Sequence, residues 1–127
     1  MNGGDLRYSI EGTGRAILVL GSAAYYPPTF SRTLREQATL VFLDVRHFAR
    51  LDEPRAVDGV SLETYTRDID RARAAMDLDE VVVLGHSHHG NLALEYARRR
   101  PEAVTHLVLV GSTPTGVQST RLAGQRY

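Results

Sequence analysis

Val81-Val82-Val83-Leu84-Gly85-His86-Ser87-His88-His89-Gly90 is the stretch on which the reading of this chain turns. Val81–Leu84 is an unbroken aliphatic run, the pattern of a strand covered on both faces. It passes straight into Gly85-His86-Ser87, and His88–Arg99 then reads as a helix stopped by Pro101. A strand that breaks into a helix across Gly-x-Ser is a turn that lifts the serine out of the sheet. A serine hydroxyl is a poor nucleophile and needs exposure, a base and a place for negative charge. The start of the following helix supplies unbonded N–H groups and the positive end of a dipole. The N–H of His88 then faces the position where an oxyanion would form. So tight a turn leaves room only for small neighbours. Gly85 meets that need upstream of the serine, whereas His89 stands downstream where a glycine is usual, with Gly90 one later. A glycine in place of His89 is therefore expected to be neutral or stabilising.

Working outward, Leu6–Glu11 alternates as a half-buried strand, followed by a Gly12-Thr13-Gly14 turn. Ala16–Leu20 and Thr39–Asp44 are apolar strands, and Val104–Val110 is another. Gly21-Ser22-Ala23-Ala24 opens a loop ended by Pro27-Pro28, and Thr29–Gln37 suits a short helix with Phe30 and Leu34 on one face. Arg46–Gly59 reads as a long loop. Ser61 is an N-cap for a helix running to about Met76, with Glu63 in its first turn. Its apolar face is Leu62, Tyr65, Ile69, Ala72 and Met76. Strands alternating with helices imply an α/β fold, a mostly parallel sheet of about five strands with helices on both faces. The first strand, one Gly-rich turn from the second, is expected to run antiparallel. Residues 1–111 are expected to form the core, and 112–127 an irregular tail.

The chain has 127 residues, enough for one domain. Its basic residues are all Arg, and they balance the acidic ones at zero net charge. That argues against a general nucleic-acid binder. The absence of Cys and Lys excludes disulfides, thiolate sites and Schiff-base or phosphate-loop lysines. No apolar run is long enough for a membrane span, and Met1–Arg7 is unlike a secretory signal. A cytoplasmic protein is the default expectation.

With these residues in view, the sequence resembles the α/β-hydrolase superfamily. Gly-His-Ser-His-His-Gly is similar to the Gly-His-Ser-x-Gly-Gly elbow of its esterases and peptidases. Asn91–Ala97, Arg100–Val104 and Leu107–Gly111 continue the likeness. Asp44-Val45-Arg46-His47 resembles the segment Asp-x-Arg-Gly, with His47 at the glycine position. Two departures are in single positions or pairs: Gly21-Ser22, in the loop after Leu20, where many members have His-Gly, and His89 in place of the elbow glycine. A third is one of extent. Family members continue through a cap and two more strands that bring the acidic residue and the catalytic histidine, so those partners are expected beyond Tyr127 and the core is expected to be truncated.

The resemblance implies a serine hydrolase acting on an ester or amide by acyl transfer to water. Ser87 would be the nucleophile, and the N–H groups of His88 and of either Ser22 or Ala23 the oxyanion hole. Tyr25, Tyr26 and His47 are candidate pocket residues. No cofactor and no metal are expected: His86, His88 and His89 cluster, but no carboxylates accompany them. A complete small hydrolase whose base comes from His47, His88 or a partner chain is a rival, although adjacent side chains seldom reach the position for proton transfer. His86 and His106 are expected to be structural, Asp44 and Arg46 to brace the loops of the cleft, and Arg98–Arg100 to complement a helix dipole. A non-catalytic binding or assembly module is the other reading. Under either reading the chain is expected to form a homodimer or to aggregate, with Val104–Val110, an apolar edge without internal charge, in or near the contact.

Overall fold

A computed structural model describes residues 6–46 and 62–112. Strands β1 (Tyr8–Gly12), β2 (Arg15–Gly21), β3 (Ala38–Asp44), β4 (Val81–His86) and β5 (Val104–Val110) form one sheet in the order β1-β3-β2-β4-β5. Helices α1 (Arg32–Gln37), α2 (Leu62–Ala75) and α3 (His89–Arg99) flank it. Strands β2 to β5 are mutually parallel and β1 is antiparallel. The antiparallel partner of β1 is β3, not its sequence neighbour β2, because the Gly12–Gly14 turn carries the chain over one strand position.

The central strands β2, β3 and β4 are buried on both faces, which explains their continuous aliphatic runs. Leu18, Leu20, Val41, Leu43, Val81 and Val83 face Ile69 of α2 and Ala93 and Tyr96 of α3. On the other face Val19, Leu40 and Phe42 meet Tyr26, Phe30 and Leu34. Alternate residues of a strand point to opposite faces, so two cores share one set of strands.

The first helix is shorter than its apolar spacing suggests. Pro27–Thr29 forms a turn of 3-10 helix, Phe30 is extended, and Ser31 caps α1 by accepting the Leu34 N–H at 3.1 Å. Phe30 still packs with Leu34, its ring edge-on to Phe42 at 5.4 Å. In α2 the expected face is buried at Ile69 and partly buried at Tyr65, Ala72 and Met76, whereas Leu62, in the first turn, is exposed. Ser61, most of the Arg46–Gly59 loop and nearly all of the tail lie outside the described residues. Tyr96 ties α3 to α2: its hydroxyl accepts from Arg73 at 2.7 Å and donates to Asp70 at 2.8 Å. Among the described residues no helix is long and apolar enough to cross a membrane.

Candidate active site

Strand β4 ends at His86 and α3 begins at His89, so Ser87 stands in the turn between them. Its backbone has φ +55°, the left-handed region that costs a non-glycine residue free energy. The turn is held on both sides. The Ser87 N–H donates to the Val110 carbonyl at 2.9 Å, and its own carbonyl accepts the Gly90 N–H at 3.0 Å. Gly85 is required by close approach: a Cβ there would lie 2.5 Å from the His89 carbonyl oxygen and 2.7 Å from the Gly90 Cα. Ser87 and His88 are exposed, and His88 occupies the N-cap of α3.

The loop after β2 reaches the same end of the sheet. Ser22 folds it, its hydroxyl accepting the N–H groups of Ala24 and Tyr25 at 3.3 and 3.0 Å. Ala23 gives its N–H to the Asp44 carboxylate at 2.6 Å, and Asp44 also takes Arg7 at 3.0 Å. The Ser22 N–H has no hydrogen-bond acceptor among the described residues. Asp44 thus braces this loop, and Arg46 makes a two-pronged bond to Asp68 of α2 at 2.6 and 3.0 Å.

Tyr26 does what the spacing of residues left unread. Its hydroxyl lies 3.1 Å from His86 Nδ1 and 3.3 Å from His89 Nδ1. Burial first, then the neighbouring Tyr25, raises its pKa above the usual phenol value, so it keeps its proton. His89 is only 4% exposed, its ring seated over Gly21. The expectation that glycine is harmless at position 89 therefore gives way: the imidazole fills space and carries a polar contact. Two departures from the family pattern, Gly21 and His89, were the available signal, and they meet in space.

Tyr25, Tyr26, Phe30, Leu84, His86 and Val110 line a cleft of about 360 Å³. The two tyrosines are therefore cleft residues, joined by His86, while Ser87 is not among its lining. His47 lies outside the described residues. His106 is exposed on β5. The arginine run is tied up in ion pairs: Arg98 and Arg99 with Glu95, Arg99 with Glu63, and Arg100 with Asp70. Hydrogen bonds from Arg98 and Arg99 hold Glu95 down at a pKa of about 2. Among the described residues no group of three or more His, Asp or Glu is arranged to hold a metal ion.

A family model described as alpha/beta hydrolase fold matches residues 18–125. The AB hydrolase superfamily protein YclE of Bacillus subtilis is 42% identical over 126 residues, which is 99% of this chain and 45% of that protein. The chain thus spans less than half of that relative's length. Among solved structures, a probable hydrolytic enzyme from Pseudomonas aeruginosa PAO1 superposes with a TM-score of 0.74 at 22% identity, covering 100% of this chain and 43% of the other. The meta-cleavage product hydrolase from Pseudomonas fluorescens IP01 gives 0.72 at 20% identity, covering 87% and 42%. These last two likenesses bear on the fold, and the sequence matches carry the family. The strained serine turn, the sheet order and the match over residues 18–125 agree: the chain belongs to the alpha/beta hydrolase family.

Proposed function

We propose that this chain carries the nucleophile half of a serine hydrolase that cleaves a small-molecule ester or amide by acyl transfer to water. The observation that supports it most is Ser87 at φ +55° in an exposed strand-to-helix turn. Strain of this kind persists where the surrounding structure enforces it, and it presents a hydroxyl clear of the sheet. In this reading the Ser87 oxygen attacks the carbonyl carbon, and the N–H groups of His88 and Ser22 receive the negative charge. Ser22 is preferred to Ala23 because the Ala23 N–H is already given to Asp44. Collapse of the tetrahedral intermediate expels the alcohol or amine, and water then releases the acid. The family resemblance assigns the proton acceptor to sequence outside residues 1–127, with His47 and His88 as the rivals inside them.

A fluorophosphonate probe and p-nitrophenyl acetate test the reading. Labelling at Ser87, slow in the absence of the outside base and abolished in Ser87→Ala, is the expected result. Ester turnover by the chain alone is expected to stay near the residual roughly 10³–10⁴-fold over water that binding and an oxyanion hole leave without a complete triad. Labelling that survives Ser87→Ala would sink the assignment. Fast turnover lost on His47→Ala or His88→Ala would place the base inside this chain.

One observation favours the second reading, an assembly module. Val108, Leu109 and Val110 of the edge strand β5 are exposed, and so is Leu94 on α3. Apolar surface gathered along an open strand edge marks a contact site. In this reading β5 pairs with a second copy of the chain.

A further inference from the structure

We propose that Tyr26 is a positioning residue for the serine turn, clamping the imidazoles on either side of Ser87, and that Gly21 lacks a side chain so that His89 can take the place opposite. The inference deepens the proposed function and rests on Ser87 being the nucleophile.

The clamp follows from donor counting. His86 precedes the serine and His89 follows it by two residues, and both present Nδ1 to one phenol oxygen, at 3.1 and 3.3 Å. A phenol has one proton to give, and it can satisfy only one of two ring nitrogens. The other ring must donate its own Nδ1–H to the phenol oxygen. At least one imidazole therefore carries its proton on Nδ1, and where the phenol gives its proton to the other ring, that ring's Nδ1 is bare. The Tyr26 ring stands edge-on to both imidazoles, at 5.8 Å from His86 and 6.1 Å from His89. Tyr26 comes from the loop after β2, so the bond joins that loop to both flanks of the turn.

Gly21 completes the arrangement. A Cβ at this position would meet Tyr26 Cε2 at 2.5 Å and the His89 ring at 3.2 Å, and its φ of +144° also disfavours a side chain. Where the elbow has a glycine, a turn can be tight without support. Here it carries a histidine, and the matching absence of a side chain lies against its ring at Gly21. The volume added at one position is removed at the other, and the polar atom so introduced is tied to Tyr26. A nucleophile displaced by as little as an ångström loses much of its reactivity, so a strut on both flanks of Ser87 bears on rate.

Nitrogen-15 spectra of the imidazoles and the rate of Ser87 labelling test this together, on the full chain. The spectra are expected to show Nδ1 protonated on at least one of His86 and His89, a preference that is lost in Tyr26→Phe. Labelling by fluorophosphonate is expected to slow about tenfold in Tyr26→Phe through its maximal rate and not through probe affinity. His89→Gly is expected to slow it similarly, and the double variant no further than the slower single one. Circular dichroism and the urea midpoint of each variant confirm that it folds. A bare Nδ1 on both rings in the parent chain overturns the clamp, because one phenol proton cannot serve both. Labelling unchanged in a folded Tyr26→Phe, or single effects that multiply in the double variant, overturns its positioning role. If the parent chain does not label at Ser87, the nucleophile assignment falls, and the positioning role with it. The spectra then still decide whether the clamp itself exists.

Discussion

Ala23 and Asp44 are joined by a 2.6 Å hydrogen bond from a loop N–H to a carboxylate that is 1% exposed. The bond fixes the loop after β2 to the end of β3. Asp44→Ala would leave that N–H without its partner and strand Arg7. We expect a loss of about 1–3 kcal/mol in urea unfolding, the usual result of orphaning one member of a charged hydrogen bond. A loss below about 0.5 kcal/mol, the size of an ordinary surface change, would mean the loop is held elsewhere.

Ser87→Gly separates strain from chemistry. Glycine adopts φ near +55° without a steric penalty. The variant should be more stable than the parent by about 0.5–1 kcal/mol while losing all labelling. Lower stability would show that the Ser87 side chain makes contacts that outweigh its backbone strain.

Tyr96 makes stability depend on alkaline pH. Burial is the leading cause that raises its pKa from 10.0 to about 12. A phenol harder to ionise when folded than unfolded contributes its stabilisation in full below pH 10. The contribution is lost as pH rises from 10 towards 12. Melting temperature should fall across that window, and Tyr96→Phe should fall less steeply while starting lower. Parallel curves for the two proteins would assign the pH dependence to other groups.

The β5 edge predicts association. Light scattering on the pure chain at micromolar concentration should show a dimer or larger species. Val108→Lys, which puts a charge on the exposed edge strand, should shift it towards monomer. A monomer in both proteins would show that the edge is covered from within the chain.

The strands and the serine turn were legible because their signals are local and physical. Aliphatic runs such as Val81–Leu84 can be read without partners, and Gly85 announces the tight approach of α3. The partner of β1 was not legible, since a short turn fixes strand direction but not which strand lies alongside. Phe30 deceived in a similar way: it shares a cluster with Leu34 from outside the helix, because Pro27-Pro28 shape the chain before it and Ser31 starts the helix after it. At the site, Gly21, Tyr26 and His89 each look unremarkable or anomalous alone. Their meaning lies in distances between positions far apart in sequence. Choosing between Ser22 and Ala23 likewise needed the position of Asp44.

The strand order β1-β3-β2-β4-β5 places β2 between β3 and β4. A chain emerging from the ribosome meets these partners at different times. β1 and β2 appear first and have no neighbour in the final sheet until β3 is made. The pairing of Ile17 with Val82 waits longer still. The turn at Ser87 is thus assembled only after β4 slots beside a strand synthesised much earlier, a late, long-range closure that should limit the rate of folding. Until then the β4-facing edge of β2, with Leu18 to Leu20 along it, stays open to any other strand within reach.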